Sequence, residues 1–401
     1  MKSTNKPVVV VVAMLDSIHV ARWLNIAKDL DYVFVLFPSS PHRRIHSEVK
    51  KLLSDPPTRM QFHLSRHMRV FSLILWILDR FLDNQIRAKL LNKLVTKSKA
   101  SIVHAIEFQN SGYLARRACE YLQIPLYVTN WGSDIYWFQK FPKHRQEIRS
   151  LLERSDYYSS ECLRDQSLAS EYGFKGTFFP VVPNAGGLNL DMLTAFNPTK
   201  TSSRKKIMIK GYTNFVGKAD LAIRSLVLLK HELRNYEIVV YSATYKARLI
   251  SFAIRHKHKI DIRCIPKKHA SHVQILGLFQ ESRIYVGVSQ SDGISTSMLE
   301  AIAMGCFPIQ TTTSCANEWL TDYQSGILIT APTPDSIALA IRESLQNDVL
   351  VDKAQSVNSQ IARDRLDISR INPTVKTFYP LILRELRISK PYDIQPTQQS
   401  Y

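Results

Sequence analysis

The 401-residue sequence predicts an α/β protein with two Rossmann-like domains facing across a cleft. Three observations carry this. Short apolar runs alternate with longer helical patterns, and the series occurs twice. Most runs are apolar throughout, as strands buried on both faces of a parallel sheet are. Between the two series lies VVPNAGGLNLDMLTAFNPTKTSSRKK, residues 181–206, whose Pro, Asn and Gly cluster and polar run read as a hinge and linker. Alternating β and α elements imply parallel pairing through right-handed crossovers, and this length exceeds one ordinary core.

The elements follow in order. The first half offers strands at 7–13 (PVVVVVA), 32–37 (YVFVLF), 101–106 (SIVHAI), 125–131 (PLYVTNW) and 157–161 (YYSSE). The second offers 205–211 (KKIMIKG), 236–242 (YEIVVYS), 260–266 (IDIRCIP), 282–288 (SRIYVGV), 307–311 (FPIQT) and 326–330 (GILIT). Helical spacing fills the gaps, for example Ser336–Leu345. The expected limits are an N-terminal domain over 1–183, a hinge over 184–206 and a C-terminal domain over 207–370. A helix over 371–389 is expected to cross back to the N-terminal domain, and 390–401 reads as a flexible tail. The apolar run near the N-terminus lacks a small-residue cleavage pattern and reads as the first strand, not a signal peptide. No apolar run approaches the ~18 residues that span a bilayer. A cytoplasmic protein is expected.

Composition is that of a globular protein, 45% hydrophobic and 22% charged, but the formal net charge is +19. Such an excess suits nucleic acid, an anionic membrane surface or a polyanionic small molecule. The segment Arg66–Lys99 concentrates it: Arg66, Arg69, Arg80, Arg87, Lys89, Lys93, Lys97 and Lys99 stand against Asp79 and Asp83, among Leu, Ile, Phe and Trp. This pattern fits a basic amphipathic helix on an anionic bilayer, or equally a packed helical pair with a solvated face. No nucleic-acid-binding signature appears. The five cysteines, Cys119, Cys162, Cys264, Cys306 and Cys315, are scattered without a CxxC pair, which argues against a disulfide framework or zinc site.

In open α/β sheets ligands sit beyond the carboxyl ends of the strands. No GxGxxG follows the first strand and no P-loop motif occurs, so nicotinamide and P-loop chemistry are poorly supported. The stretch SDGISTSMLEAIAMGCFPI, Ser291 to Ile309, does carry a signal. A helix starting near Ser295–Ser297 and ending at Gly305 would present free N–H groups and its positive dipole end to an anion. Asp292 would repel a bare phosphate, but a carboxylate can accept sugar hydroxyls. The pattern implies a diphosphate carrying sugars. The alternative is local: Ser297 and Glu300 fit a capping box, and Asp292 a turn.

This stretch resembles the donor-binding signature of glycosyltransferase family 4, retaining enzymes of the GT-B fold. The pattern is an acid, seven residues, Glu, then A-(M/I)-A-x-G-x-P-(V/I). Asp292 replaces the usual first Glu, while Ala301, Ala303, Gly305 and Pro308 fit. SIHVARW (17–23), VTNWGSDIYWF, HRQEIRSLLERSDYYSSECLRD and VVPNAGGLNLD extend the likeness over most of the chain, toward a branch that assembles surface polysaccharides. The resemblance implies that Glu300 binds ribose hydroxyls and Asp292 the transferred sugar. The backbone of Gly293, Ile294 and Ser295 would lie by sugar and phosphates, with Thr296 and Gly211 counted in the donor site. The family's Arg–Lys pair after the first strand of the second domain is altered here, since Tyr212 stands where Arg is usual. Lys218 and Lys210 are the candidates for the diphosphate, Lys218 the preferred one. On the acceptor side, His104 and Glu107 follow the pattern of a strand-end group near the reacting sugar. Asp134 lies in the loop after the next strand, with Trp131 in place of a usual His. His19 and Arg22 sit at the first βα turn.

The expectation is a retaining, hexosyltransferase-like enzyme, needing no metal or other cofactor. It would use a nucleotide-diphosphate sugar and a saccharide or lipid-linked acceptor, in polysaccharide or lipopolysaccharide synthesis at the inner membrane face. The alternatives are another GT-B enzyme, such as a sugar-nucleotide epimerase, and a non-enzymatic basic protein binding membrane or nucleic acid.

Overall fold

The computed structural model describes residues 6–39, 45–54, 60–62, 74, 77–79, 81–82, 84–183, 186–190, 199–267 and 269–389. Two parallel sheets organise them. The first has the order β3-β2-β1-β4-β5-β6-β7, the second β10-β9-β8-β11-β12-β13. The first contains β1 (Val8–Ala13), β2 (Val33–Pro38), β3 (Met60–Phe62), β4 (Ile102–Ile106), β5 (Leu126–Thr129), β6 (Tyr157–Ser159) and β7 (Thr177–Phe178). The second contains β8 (Lys206–Lys210), β9 (Glu237–Ala243), β10 (Ile262–Pro266), β11 (Ile284–Gly287), β12 (Phe307–Thr311) and β13 (Ile327–Ile329).

The apolar runs explain the layers. Val9, Val10, Val11 and Val12 are all fully buried, because helices cover both faces of β1. Ile207, Met208 and Ile209 in β8 are equally buried. The two strands missing from the sequence reading, β3 and β7, are short edge strands, and Thr177 and Phe178 are exposed. At three and two residues these strands are too short to show an apolar run.

Strand order reverses beside β1, which lies between β2 and β4, and beside β8, which lies between β9 and β11. These are the switch points where loops part and leave a crevice. The helices that matter there are α1 (Ile18–Ala27) after β1 and α10 (Thr296–Ala303) after β11. Others are α2 (Ser47–Ser54), α3 (Gln85–Lys97), α4 (Tyr113–Ala118), α5 (Pro142–Arg154), α6 (Leu163–Glu171), α7 (Ala219–Ser225), α8 (Tyr245–His258) and α9 (His272–Gln280). The chain closes with α11 (Pro334–Gln346), α12 (Asp348–Arg365), α13 (Ile368–Lys376) and α14 (Phe378–Ser389).

The chain passes between the domains twice, and the two passages touch. Leu188 N–H donates to the Leu366 carbonyl at 2.8 Å, and Ile368 N–H donates to the Leu188 carbonyl at 3.0 Å. Gly187 permits this: its φ is +73°, and a Cβ there would lie 2.6 Å from the Leu366 oxygen. After the second passage, Phe378, Tyr379 and Ile382 of α14 are fully buried in the N-terminal core with Val9, Trp23 and Phe34. Phe378 stacks on Phe179 with centroids 4.3 Å apart. The last helix is thus part of the first domain's core. Asn184, at the expected hinge, and the tail 390–401 lie outside the described residues.

Of the basic segment, Arg66, Arg69, Arg80 and Asp83 also lie outside them. Arg87 is not a free surface cation. Its Nε donates to the buried Asp79 at 2.9 Å, and Nη1 donates to the Ser39 carbonyl at 2.7 Å. Lys89, Lys93 and Lys97 are exposed and, four residues apart, share one face of α3, opposite the buried Ala88, Leu91 and Val95.

Candidate active site

A cleft of about 450 Å³ opens between the two sheets, lined from both domains. The N-terminal domain contributes His19 and Arg22 on α1, Trp131 and Gly132 after β5, and Glu161 after β6. The C-terminal domain contributes Lys210 and Tyr212 at the end of β8, Ser291 and Asp292 after β11, the start of α10, Glu300 and Gln310.

The start of α10 is open to the cleft. Its N-cap, Ser295, makes no side-chain capping bond, so the first N–H groups of the helix stay available. Glu300 lies one turn into α10 and does not cap it. Its Oε1 accepts from Nε2 of His272 at 2.7 Å, and its side chain is nearly buried against the cleft. The capping-box alternative therefore fails, because the helix begins at Thr296 and Glu300 points to α9. Gly305, with φ +76°, follows the helix end as the sequence led one to expect.

Lys210 is the cation beside this helix. Its Nζ stands 3.9 Å from Oδ2 of Asp292 and 3.5 Å from Oγ of Ser295. Burial works against its charge, but Asp292 and the neighbouring Tyr285 outweigh this and raise its pKa. Burial in turn raises the Asp292 carboxyl, opposed by Lys210 and Arg164. Lys218 occupies the N-cap of α7, half-buried, and is not among the cleft-lining residues. The geometry ranks Lys210 ahead of Lys218: β8 ends with Lys210 against the crevice, whereas the intervening loop carries Lys218 to the next helix. Gly211 is buried behind the lining, and Thr296 and Ile294 line it.

The domains approach closely at Gly293. A Cβ there would lie 2.6 Å from Glu161 Oε2 and 3.2 Å from the Gly132 nitrogen. A side chain at 293 would have to displace the Glu161 carboxylate and press on the Gly132 backbone, so glycine suits this close approach. Asp292 Oδ1 accepts from the Gly293 N–H at 3.1 Å. Arg164, on α6, donates through Nη2 to the Asp292 carbonyl at 2.8 Å and through Nη1 to the Thr313 carbonyl at 2.9 Å. The Asp292 loop is thus held by the opposite domain.

His19 lies edge-on to Trp131, centroids 5.7 Å apart. Burial, with Arg22 and Lys210 nearby, lowers its pKa to about 4, so it is neutral at pH 7. The other N-terminal candidates stand elsewhere. His104 is inside β4 rather than at its end, fully buried, and stacked on Tyr127 at 3.9 Å. Its Nδ1 and Nε2 bond Tyr379 and Thr129, both at 2.8 Å, leaving nothing for a substrate. Glu107, with φ 72°, accepts from the N–H groups of Gln109, Asn110 and Ser111, capping the π-turn Phe108–Gly112. Asp134 Oδ2 accepts from the N–H groups of Trp131 and Phe108. Burial raises both carboxyls, Glu107 to about 7. These three residues build the walls behind the loops; none lines the cleft.

Sequence reasoning missed Glu161, His272 and Gln310. Glu161 follows a strand and could have been found by that rule alone. His272 opens α9, the helix after β10, and only the fold brings it to Glu300. Gln310 Oε1 is buried at the cleft wall without a partner in the protein.

Comparison with known proteins fits this architecture. Residues 195–364 match the family model for glycosyl transferases group 1, and residues 9–161 match that for glycosyl transferase 4-like domains. The chain belongs to glycosyltransferase family 4, of the GT-B fold. No curated protein matches its sequence. Among solved structures it is similar to a glycosyltransferase from Rickettsia africae, at 16% identity and TM-score 0.66, covering 95% of this chain and 99% of that one. The sucrose-phosphate synthase of Thermosynechococcus elongatus is similar at 11% identity and TM-score 0.68, covering 96% and 100%. HepE of Anabaena, solved with UDP-glucose, is similar at 12% identity and TM-score 0.66, covering 93% and 99%. Among the described residues of this family 4 chain, Cys162, Asp165 and Cys315 form the one group spaced to hold a metal ion, and none of the three lines the cleft.

Proposed function

We propose that this glycosyltransferase takes a sugar from a nucleoside-diphosphate sugar with retention of configuration. The acceptor is a lipid-linked saccharide of a cell-surface polysaccharide. The observation that carries the donor reading is the meeting of Glu300, Asp292, Lys210 and the open start of α10 in one cleft. Glu300 suits a ribose, since a carboxylate accepts from two neighbouring hydroxyls. Asp292 suits hydroxyls of the transferred sugar. Lys210 and the N–H groups of α10 provide positive potential where charge develops on the departing diphosphate. Neutral His19 and cationic Arg22 face them from the other domain. The incoming hydroxyl attacks from the side the diphosphate leaves, and a phosphate oxygen takes its proton. Closure about the hinge excludes water that would hydrolyse the donor. That HepE was solved with UDP-glucose makes UDP-sugars the first donors to try. A thermal-shift panel of nucleoside diphosphates and their sugars, followed by product analysis with and without acceptor, tests the reading. Release or rearrangement of the sugar without any acceptor would favour an epimerase instead.

The membrane part rests on a second observation. Ile74, Ile77, Leu78, Phe81 and Leu82 are all exposed, Phe81 at 84%, with the spacing of one helical face. The Lys89, Lys93 and Lys97 row follows in sequence. No helix among the described residues is long and apolar enough to cross a membrane. Peripheral docking on an anionic surface fits both, each lysine contributing ~1 kcal/mol at most. Liposome co-sedimentation should fall with salt, with loss of anionic lipid, and on changing Lys89, Lys93 and Lys97 to Gln. A protein that stays in solution with anionic vesicles at low salt would point to a soluble acceptor.

A further inference from the structure

Behind the cleft, the seam between the domains brings two cysteines together that stand 153 positions apart. Sγ of Cys315 and Sγ of Cys162 are 2.7 Å apart, and both residues are buried. Cys162 is the N-cap of α6 in the first domain; Cys315 sits in the loop after β12 in the second, with φ 51°. The seam around them is organised. The N–H groups of Leu163 and Arg164 donate to Glu318 at 2.8 and 3.1 Å, and Arg164 reaches across to the Thr313 and Asp292 carbonyls. The thiol pair is therefore tied, through α6, to the loop that carries Asp292.

We propose that Cys162 and Cys315 form a reversible disulfide that staples the two domains in the closed arrangement. The sulfurs need to move by less than an ångström to reach the ~2.05 Å of a disulfide bond. A shared metal ion fits less well. Two thiolates on one tetrahedral zinc at about 2.3 Å stand roughly 3.8 Å apart, and both oxygens of the nearby Asp165 are already engaged, by Arg164 and Asn130.

The oxidant is a low-molecular-weight disulfide, RSSR. The Cys162 thiolate attacks one of its sulfurs, releasing RS⁻ and leaving a mixed disulfide. The Cys315 thiolate then attacks the Cys162 sulfur, forming the protein disulfide and releasing a second RS⁻. The two thiol protons end on the two RSH. The closed seam hides both sulfurs, so the first step belongs to the open enzyme and the second to closure. A stapled seam prevents the opening that donor entry and product release require.

The full-length protein treated with oxidised glutathione, then digested without reductant, should give a peptide linking Cys162 to Cys315. The oxidised protein should melt roughly 5 °C higher. Its turnover should drop at least about fivefold and return with dithiothreitol. Cys162→Ser and Cys315→Ala should lack the linked peptide and both responses. Peptide mapping and melting are independent of the proposed transfer reaction, so failure of that reading leaves this test standing. Single glutathionylation without the link overturns the proposal, as does stoichiometric zinc in the purified protein. A link that changes neither melting nor turnover overturns the staple. Should both variants fold poorly, mapping and reduction of the wild-type chain still decide.

Discussion

Replacing Glu300 with Gln isolates one oxygen of the site. The side chain keeps its size and position on α10, and an amide oxygen can still accept from His272, now 2.7 Å away. What changes is charge and the ability of the second oxygen to accept. A hydrogen bond to a charged group contributes about 1.5–3 kcal/mol, and each ~1.4 kcal/mol is tenfold in rate or affinity. Loss of one ribose contact should therefore lower kcat/KM for the donor by roughly 10- to 150-fold. The affinity for the nucleoside diphosphate should fall in parallel, because the ribose is common to both. Initial rates over donor concentration and calorimetric titration of the diphosphate read the two quantities. Stability should hardly move, since Glu300 caps nothing. A folded Glu300→Gln variant with ordinary donor kinetics and ordinary diphosphate affinity would refute the ribose role.

Lys210→Ala should lower kcat at least about tenfold, because its contact strengthens as the diphosphate leaves, while Lys218→Ala should do less. The opposite order in steady-state assays would return the role to Lys218. His104→Phe should destabilise the fold by about 1–3 kcal/mol in urea unfolding, leaving Thr129 and Tyr379 without their shared partner, yet leave the kinetics of the folded fraction near normal. A kinetic collapse with unchanged stability would show His104 in contact with substrate. Stability should fall between pH 6.5 and about 4, since the unfolded chain takes a proton at His19 that the folded state refuses until about pH 4. His19→Gln should flatten part of that slope, with buried His104 supplying another part in the same direction.

The alternation of strands and helices, the doubled α/β series and the donor segment around Asp292 and Glu300 are legible in the chain's letters. These are local matters. A β-branched run such as Val8–Val12 favours a strand buried on both faces, and the Gly, Ser and Thr cluster before α10 marks a helix start. The short strands β3 and β7 escaped because two or three residues are too few to show a pattern. The partners of each site residue emerge only when the chain folds. His104 looks reactive in a string of letters, but Tyr379 reaches its ring from 275 positions away when α14 returns to the first domain. Lys210 and Lys218 differ little in sequence, and only the path of the loop after β8 separates them. Glu161, Arg164, Cys162 and Cys315 gain their meaning at a seam between domains. No periodicity encodes such a seam, because its contacts join residues more than a hundred positions apart.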